Sequence, residues 1–334
     1  FRLSFHHIGL WTPGNRRHEG NKTAQAFDVV RIHVDSRLKI DPLTDRCSWS
    51  GFTLEDHCKI AESSRFKLLI CLGANYMGRD DRMSGGDNPS VINPTDYHRP
   101  SGSIVLGNKY IRNANRVIRW IVRNGYADQV WGYQLGNEVE HCENESIMRS
   151  YGSTFRRLYR SVRKIHGDEP YVSTGGTMMA RWGDSHEGAY SPGLWIARMV
   201  RVGWRPGERI LCQFHDSLRY DWTVFERENK AIMGWLRDSP GCEWGVTEAF
   251  HQGASLRRVK LLKDIGGLCY SGFTSLGHGP DIDVPVERWG SFPLQDLAAH
   301  GPLGPNRSVR REQIAIAKLL GIWDRSQRVG WWPR

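Results

Sequence analysis

Eight times along its 334 residues this chain passes from a short β-rich run to a helical stretch, and that alternation leaves few folds open. The runs fall at 3–11, 27–35, 66–75, 128–138, 169–177, 209–216, 242–250 and 267–276. Several are nearly continuous in apolar residues, as in Phe66-Lys67-Leu68-Leu69-Ile70-Cys71-Leu72. A strand with one wet face must alternate, whereas a strand covered on both faces need not, so these runs read as a parallel sheet under helices. Eight consecutive β-then-α units predict an α/β protein with a (β/α)8 TIM barrel, one domain spanning 1–334. A doubly wound open sheet is the alternative, because the first crossover, 12–26, carries little helix signal.

The helical stretches have readable faces and ends. In 107–123, Ile111, Ala114, Ile118, Ile121 and Val122 form one stripe opposite Arg112, Arg116, Arg119 and Arg123. Thr53-Leu54-Glu55-Asp56 reads as a helix start, with Asp where a capping box more often has Glu. Gly125, Gly167 and Gly266 fall where helices should stop. Two long loop-like segments follow the third and eighth strands, at 76–103 and 277–306. In a barrel both lie on the C-terminal face, where binding sites are built.

Charge and cysteines narrow the function classes. The net charge is +10, from 46 Lys and Arg against 36 Asp and Glu, and much of the excess lies on helix faces. Besides the arginines above, Arg156, Arg157, Arg160 and Arg163 share one stretch, and both sets read as solvated outer faces. Attraction to an acidic polymer is the sharper alternative. Without a zinc-finger or RNP motif, no nucleic-acid partner is expected, while an acidic glycan stays admissible. No run of 18 apolar residues predicts a membrane span. Residue 1 is Phe and no basic-then-apolar leader is visible, which leaves secretion and cytoplasm both open. Among seven scattered cysteines, Cys71, Cys212, Cys242 and Cys269 fall in predicted strands as small apolar core residues. No CxxC pair or zinc-like Cys/His spacing occurs, so no metal is expected; a Cys47–Cys58 disulfide and the oligomeric state are left open.

Two strand runs end on carboxylates. Val130-Trp131-Gly132-Tyr133-Gln134-Leu135-Gly136-Asn137-Glu138 closes the fourth, and Cys242-Glu243-Trp244-Gly245-Val246-Thr247-Glu248 the seventh. Two glutamates at two strand ends are what retaining glycoside hydrolysis requires, one to protonate the leaving oxygen and one to attack the sugar carbon. Competing chemistries lack their marks: there is no HExxH, GxxxxGK, GxGxxG after a strand, or GxSxG elbow.

With Asn137-Glu138 at strand four and Glu248 at strand seven, the chain resembles the clan A retaining glycoside hydrolases, which include cellulase, mannanase, xylosidase and heparanase-like families. Its Leu-Gly-Asn-Glu and Val-Thr-Glu motifs carry the likeness, and no one family is singled out. The resemblance implies a (β/α)8 catalytic barrel without a cofactor. It makes Glu138 the acid/base and Glu248 the nucleophile, with Asn137 on the sugar 2-hydroxyl. Arg31 matches the clan's arginine beside the nucleophile, where a cation keeps the carboxylate ionised. His215 stands where the clan places a residue that bonds the nucleophile or lines the subsite, and Gln213 and Asp216 flank it. His6, His7 and His33 are weaker candidates at the same mouth. Clan members usually carry a Trp at the end of strand eight, where this chain has Thr274; Phe273 or Trp289 is the candidate replacement. Trp11, Trp182 and Trp289 fall in or beside predicted strand-end loops, placed to stack on sugar faces, whereas Trp120, Trp195 and Trp323 read as core.

The expected function is retaining hydrolysis of a β-linked poly- or oligosaccharide, endo-acting because long loops bound the cleft on both sides. A carbohydrate-binding barrel without catalysis and a transglycosylase using the same residues are the alternatives.

Overall fold

The computed structural model describes residues 2–6, 28–34, 41–43, 47, 52–72, 108–135, 145–173, 177–178, 205, 208–216, 243–249, 269–272 and 318. For 2–6, 109, 145–152, 177–178, 214–216, 244, 246–249 and 269–272 it describes the main chain alone. Nine strands run β1 (Arg2–His6), β2 (Val29–Val34), β3 (Lys67–Leu72), β4 (Val130–Leu135), β5 (Tyr171–Ser173), β6 (Thr177–Met178), β7 (Ile210–Asp216), β8 (Glu243–Ala249) and β9 (Cys269–Gly272). Each overlaps one of the eight predicted runs; β1 starts one residue before its run, and the fifth run holds β5 and the first residue of β6.

All pairings are parallel, in the order β5-β4-β3-β2-β1-β9-β8-β7-β6, and β5 also pairs with β7. That last pairing closes the sheet into a ring of eight strands and excludes the doubly wound alternative. The stagger agrees. From His33 the register partners run Cys71, Gln134, Ser173, Leu211 and Glu243. Gly245, two residues above Glu243, pairs with Cys269, which pairs with Arg2; Ser4 in turn pairs with Val29. Followed round, the ladder returns to β2 roughly eight residues below its start, the shear of a (β/α)8 barrel.

Three helices are described: α1 (Leu54–Glu62), α2 (Asn108–Arg123) and α3 (Glu145–Ile165), which lie between β2 and β3, β3 and β4, and β4 and β5. At the start of α1 both bonds of a capping box form: the Asp56 amide donates to Thr53 Oγ1 at 3.1 Å, and the Thr53 amide to Asp56 Oδ2 at 2.9 Å. Leu54, His57, Cys58 and Ala61 are its buried face, at the spacing of one helical stripe. Gly125 and Gly167 sit just past α2 and α3 with φ of 81° and 102°, a conformation that only glycine adopts without strain.

The predicted stripe of α2 is buried at Ile111, Ala114, Ile118 and Ile121, with Val122 half-buried and the four arginines exposed. On α3 the expectation of a solvated arginine face needs correction. Arg156 forms a two-pronged ion pair with Glu208, its Nη2 3.0 Å from Oε1. Arg163 donates to the carbonyls of Gly167, Pro170 and Arg209 at 3.0, 2.9 and 3.2 Å. These bonds tie α3 to the segments that lead into β5 and β7, because guanidinium forks satisfy several carbonyls that strand starts leave over. Arg157 bonds Asn108 at 2.7 Å and so links α3 to α2. Cys47 and Cys58 are both free thiols, which settles the disulfide left open above. Burial pushes the Cys58 thiol up to about 12, so it packs as an apolar group.

Candidate active site

A hydrogen bond between strands that are not neighbours reveals the barrel's inside. Arg31 on β2 is fully buried, and its Nε donates to Oε1 of Gln134 on β4 at 2.7 Å. With β3 between them, the two side chains meet because both project into the ring. On the far wall the Gln213 amide of β7 donates to the Ser173 hydroxyl of β5, which donates to the Leu211 carbonyl at 3.1 Å. Gln134 and Ser173 are register partners on adjacent strands, so the two bonded groups adjoin across the β4–β5 ladder. Arg31 and Gln213 each stand two residues beyond a buried apolar residue of their own strand, Val29 and Leu211. All four residues are fully buried. We call this level the polar tier.

Beneath it lies an apolar floor. Val29, Leu69, Trp131, Tyr171 and Leu211, from five strands, pack into one cluster. Trp131 joins because the β3–β4 ladder shifts there: Leu68 pairs with Val130 but Leu69 with Gly132, and the extra residue is Trp131. Its ring lies 5.1 Å from that of Tyr171, which the Arg209 guanidinium covers from 4.5 Å. The Tyr171 hydroxyl donates to Glu243 at 3.0 Å, giving that carboxylate a structural partner at the start of β8. Gly132 fits between Tyr171 and Leu69: a Cβ there would stand 3.0 Å from the Tyr171 carbonyl oxygen.

Toward the C-terminal ends of the strands the candidate residues follow. Glu248 is the second-last residue of β8, and its register partner on β7 is His215. A bulge creates this match, since Phe214 pairs with Val246 and His215 with Glu248, leaving Thr247 as the extra residue. Asp216 pairs with Ala249, Met178 with His215, and His6 with Arg31. His33, two residues above Arg31, is buried. β4 is described to Leu135, two residues short of Asn137 and three short of Glu138. Asn137, Glu138, His7, Thr274, Trp11, Trp182 and Trp289 lie outside the described residues, as do the segments 76–103 and 277–306. Glu145 is the first residue of α3, where a negative charge favours a helix N-terminus. Asp28, just before β2, meets Arg65 at 3.5 Å.

Gln134 and Ser173 were not singled out by sequence reasoning. Their signal is a buried polar residue two positions after an apolar or aromatic one on the same strand, repeated at Arg31, Ser173 and Gln213, with Gln134 two positions after Gly132. No group of three or more His, Cys, Asp or Glu able to hold a metal gathers among the described residues. No described helix is long and apolar enough to cross a membrane.

No protein-family model and no curated protein matches the chain. Among solved structures it is similar to an exo-β-1,4-mannosidase from Opitutaceae bacterium strain TAV5, at 13% identity and a TM-score of 0.47, covering 80% of this chain and 51% of that one. It is also similar to a monomeric β-xylosidase from Caulobacter crescentus CB15, at 12% and 0.48, covering 81% and 59%. A family 5 glycoside hydrolase from Prevotella bryantii B14 matches at 12% and 0.46, covering 80% and 87%. The chain thus spans about half the length of the mannosidase.

Proposed function

We propose that this chain is a single-domain retaining β-glycoside hydrolase in which Glu138 is the acid/base and Glu248 the nucleophile. The observation that carries the reading is the position of Glu248, at the C-terminal end of β8 and in register with His215 on β7. The main chains of these two residues stand side by side on neighbouring parallel strands, two residues or fewer from the strands' C-terminal ends. Along the chain Glu138 follows the C-terminal end of β4 by three residues, and barrel enzymes place their chemistry beyond that end of the strands.

Glu248 attacks the anomeric carbon while Glu138 protonates the glycosidic oxygen. Glu138, now a carboxylate, then takes a proton from the water that releases the sugar. Retention of configuration requires the carboxyl groups to stand about 5 Å apart. Arg31 keeps Glu248 ionised, Asn137 holds the 2-hydroxyl, and His215 orients the nucleophile or lines the subsite. Trp11, Trp182 and Trp289 supply stacking surfaces. The substrate is a β-linked poly- or oligosaccharide, with endo action favoured by the segments 76–103 and 277–306 and an acidic glycan by the net charge of +10.

The test is hydrolysis of a panel of β-linked polysaccharides by the parent, Glu138→Ala and Glu248→Ala proteins. Turnover by the parent that both substitutions abolish, with the β-anomer released first by NMR, supports the reading. Sugar binding without turnover in the parent would replace it with a recognition barrel. Products extended by an added acceptor would make the chain a transglycosylase.

A further inference from the structure

Arg31 is a flexible side chain on β2, and the chemistry above needs its charge at one place. A guanidinium reaching through a barrel can settle in several rotamers, and the loss of that freedom must be offset by a fixed bond. Gln134 supplies one. Its carboxamide oxygen receives the Nε proton at 2.7 Å, and both residues are fully buried. Nε is the inner nitrogen of the fork, so a bond there fixes the guanidinium plane and leaves the two terminal NH2 groups for other acceptors. Gln134 also sits three residues before Asn137 and four before Glu138. A bond formed on this strand therefore ties the cation from β2 to the strand that carries the acid/base.

We infer that Gln134 is a positioning residue for the hydrolase, acting through Arg31: it sets where the guanidinium stands relative to the nucleophile and touches no substrate itself. The inference rests on the hydrolase reading. A neutral acceptor suits the task, since a carboxylate at this position would spend part of the arginine's charge on itself.

A double-mutant cycle tests it, with Gln134→Met measured in the parent and in an Arg31→Lys background, folding followed by thermal unfolding and kcat separated from KM. In the parent background Gln134→Met should lower kcat by ~10- to 100-fold with KM little changed, the cost of a misplaced catalytic group. In the Arg31→Lys background the same substitution should change kcat hardly at all, because the group it positions has gone. Equal losses in both backgrounds would overturn the inference and make Gln134 a packing residue, as would an unchanged kcat in Gln134→Met of an active parent. A parent without turnover on the glycan panel would sink the hydrolase reading and the inference with it. Should Gln134→Met fail to fold, Gln134→Asn takes its place, withdrawing the oxygen by one methylene while keeping the amide.

Discussion

Two levels of one barrel interior, about 7 Å apart along the strands, are built from opposite materials. The floor is Val29, Leu69, Trp131, Tyr171 and Leu211, held by contact area. The tier above is Arg31, Gln134, Ser173 and Gln213, held by directed bonds. Both are out of reach of water, so burial alone does not explain the difference. Each floor side chain gains ~1.5–3 kcal/mol from leaving water, whereas a buried amide or guanidinium gains little net and costs more if its bond is missing. A barrel built for stability would continue the floor upward. This one changes to polar groups as it nears the rim that carries Glu248, which is where preorganised dipoles and charges act on a reaction.

The comparison predicts that the two levels fail differently. Leu69→Ala removes a fully buried side chain from the floor's centre and should cost ~2–5 kcal/mol, read as a fall in the urea midpoint at unchanged m-value. Its kcat, measured well below the new melting temperature, should stay near the parent's. That is the reverse of Gln134→Met. A Leu69→Ala protein that keeps its stability but loses turnover would erase the distinction between the levels.

A second expectation concerns pH. The amides and hydroxyl of the tier have no proton to exchange near neutrality, so acid sensitivity must come from elsewhere. His57 on α1 is fully buried, its Nδ1 2.7 Å from the Thr53 carbonyl oxygen. Burial holds its imidazole down at about 4, against an ordinary 6.5, despite the opposing pull of the Thr53 carbonyl and Asp56. The folded protein therefore keeps His57 neutral where the unfolded chain would already bind a proton. Stability from this group is complete above about 6.5 and is lost as pH falls toward 4, by up to ~3 kcal/mol. Urea midpoints should drop between pH 7 and pH 4.5, and His57→Asn should remove much of that drop. An equally steep drop in the variant would move the sensitivity to other groups.

The strand positions were legible because a strand covered on both faces advertises itself as an apolar run, and each run in the sequence holds at least one strand. Their ends were less so. The run 66–75 holds the described strand Lys67–Leu72, and residues 73–75 lie outside the described residues. Cap chemistry at Thr53 and Asp56 could be read locally, as could the glycines after α2 and α3. The polar tier could not: Arg31 and Gln134 are 103 positions apart, and a lone Gln in a strand reads equally well as facing outward. The pairing of β2 and β4 on either side of β3, which no local pattern encodes, brings their side chains together. The same holds for Arg163, whose spacing matches a solvated helix face while its partners are carbonyls set by where the strands begin. For the candidate site, Glu248 and His215 could each be named from strand ends, but their shared register depends on a bulge at Thr247 that leaves no mark in composition.

Gly132 is where the two levels touch, and it gives the smallest of the expected effects. It lies on β4 directly after the bulged Trp131 of the floor and two residues before Gln134 of the tier. A methyl group there would meet the Tyr171 carbonyl oxygen at 3.0 Å, the Tyr171 Cβ at 3.1 Å and Leu69 Cδ1 at 3.3 Å. Leu69 can yield by a small rotation, but the Tyr171 main chain is fixed in the β4–β5 ladder through the Gly132–Tyr171 pairing itself. Gly132→Ala should therefore push β4 away from β5 and cost ~1–3 kcal/mol of stability. The same displacement carries Gln134 with it, so turnover should fall too, by less than in Gln134→Met because the acceptor oxygen moves without being lost. Calorimetry and steady-state rates on this one variant decide the matter. A lower melting temperature with full activity would mean that the tier tolerates motion of its own strand, and that the bond from Arg31 adapts rather than positions.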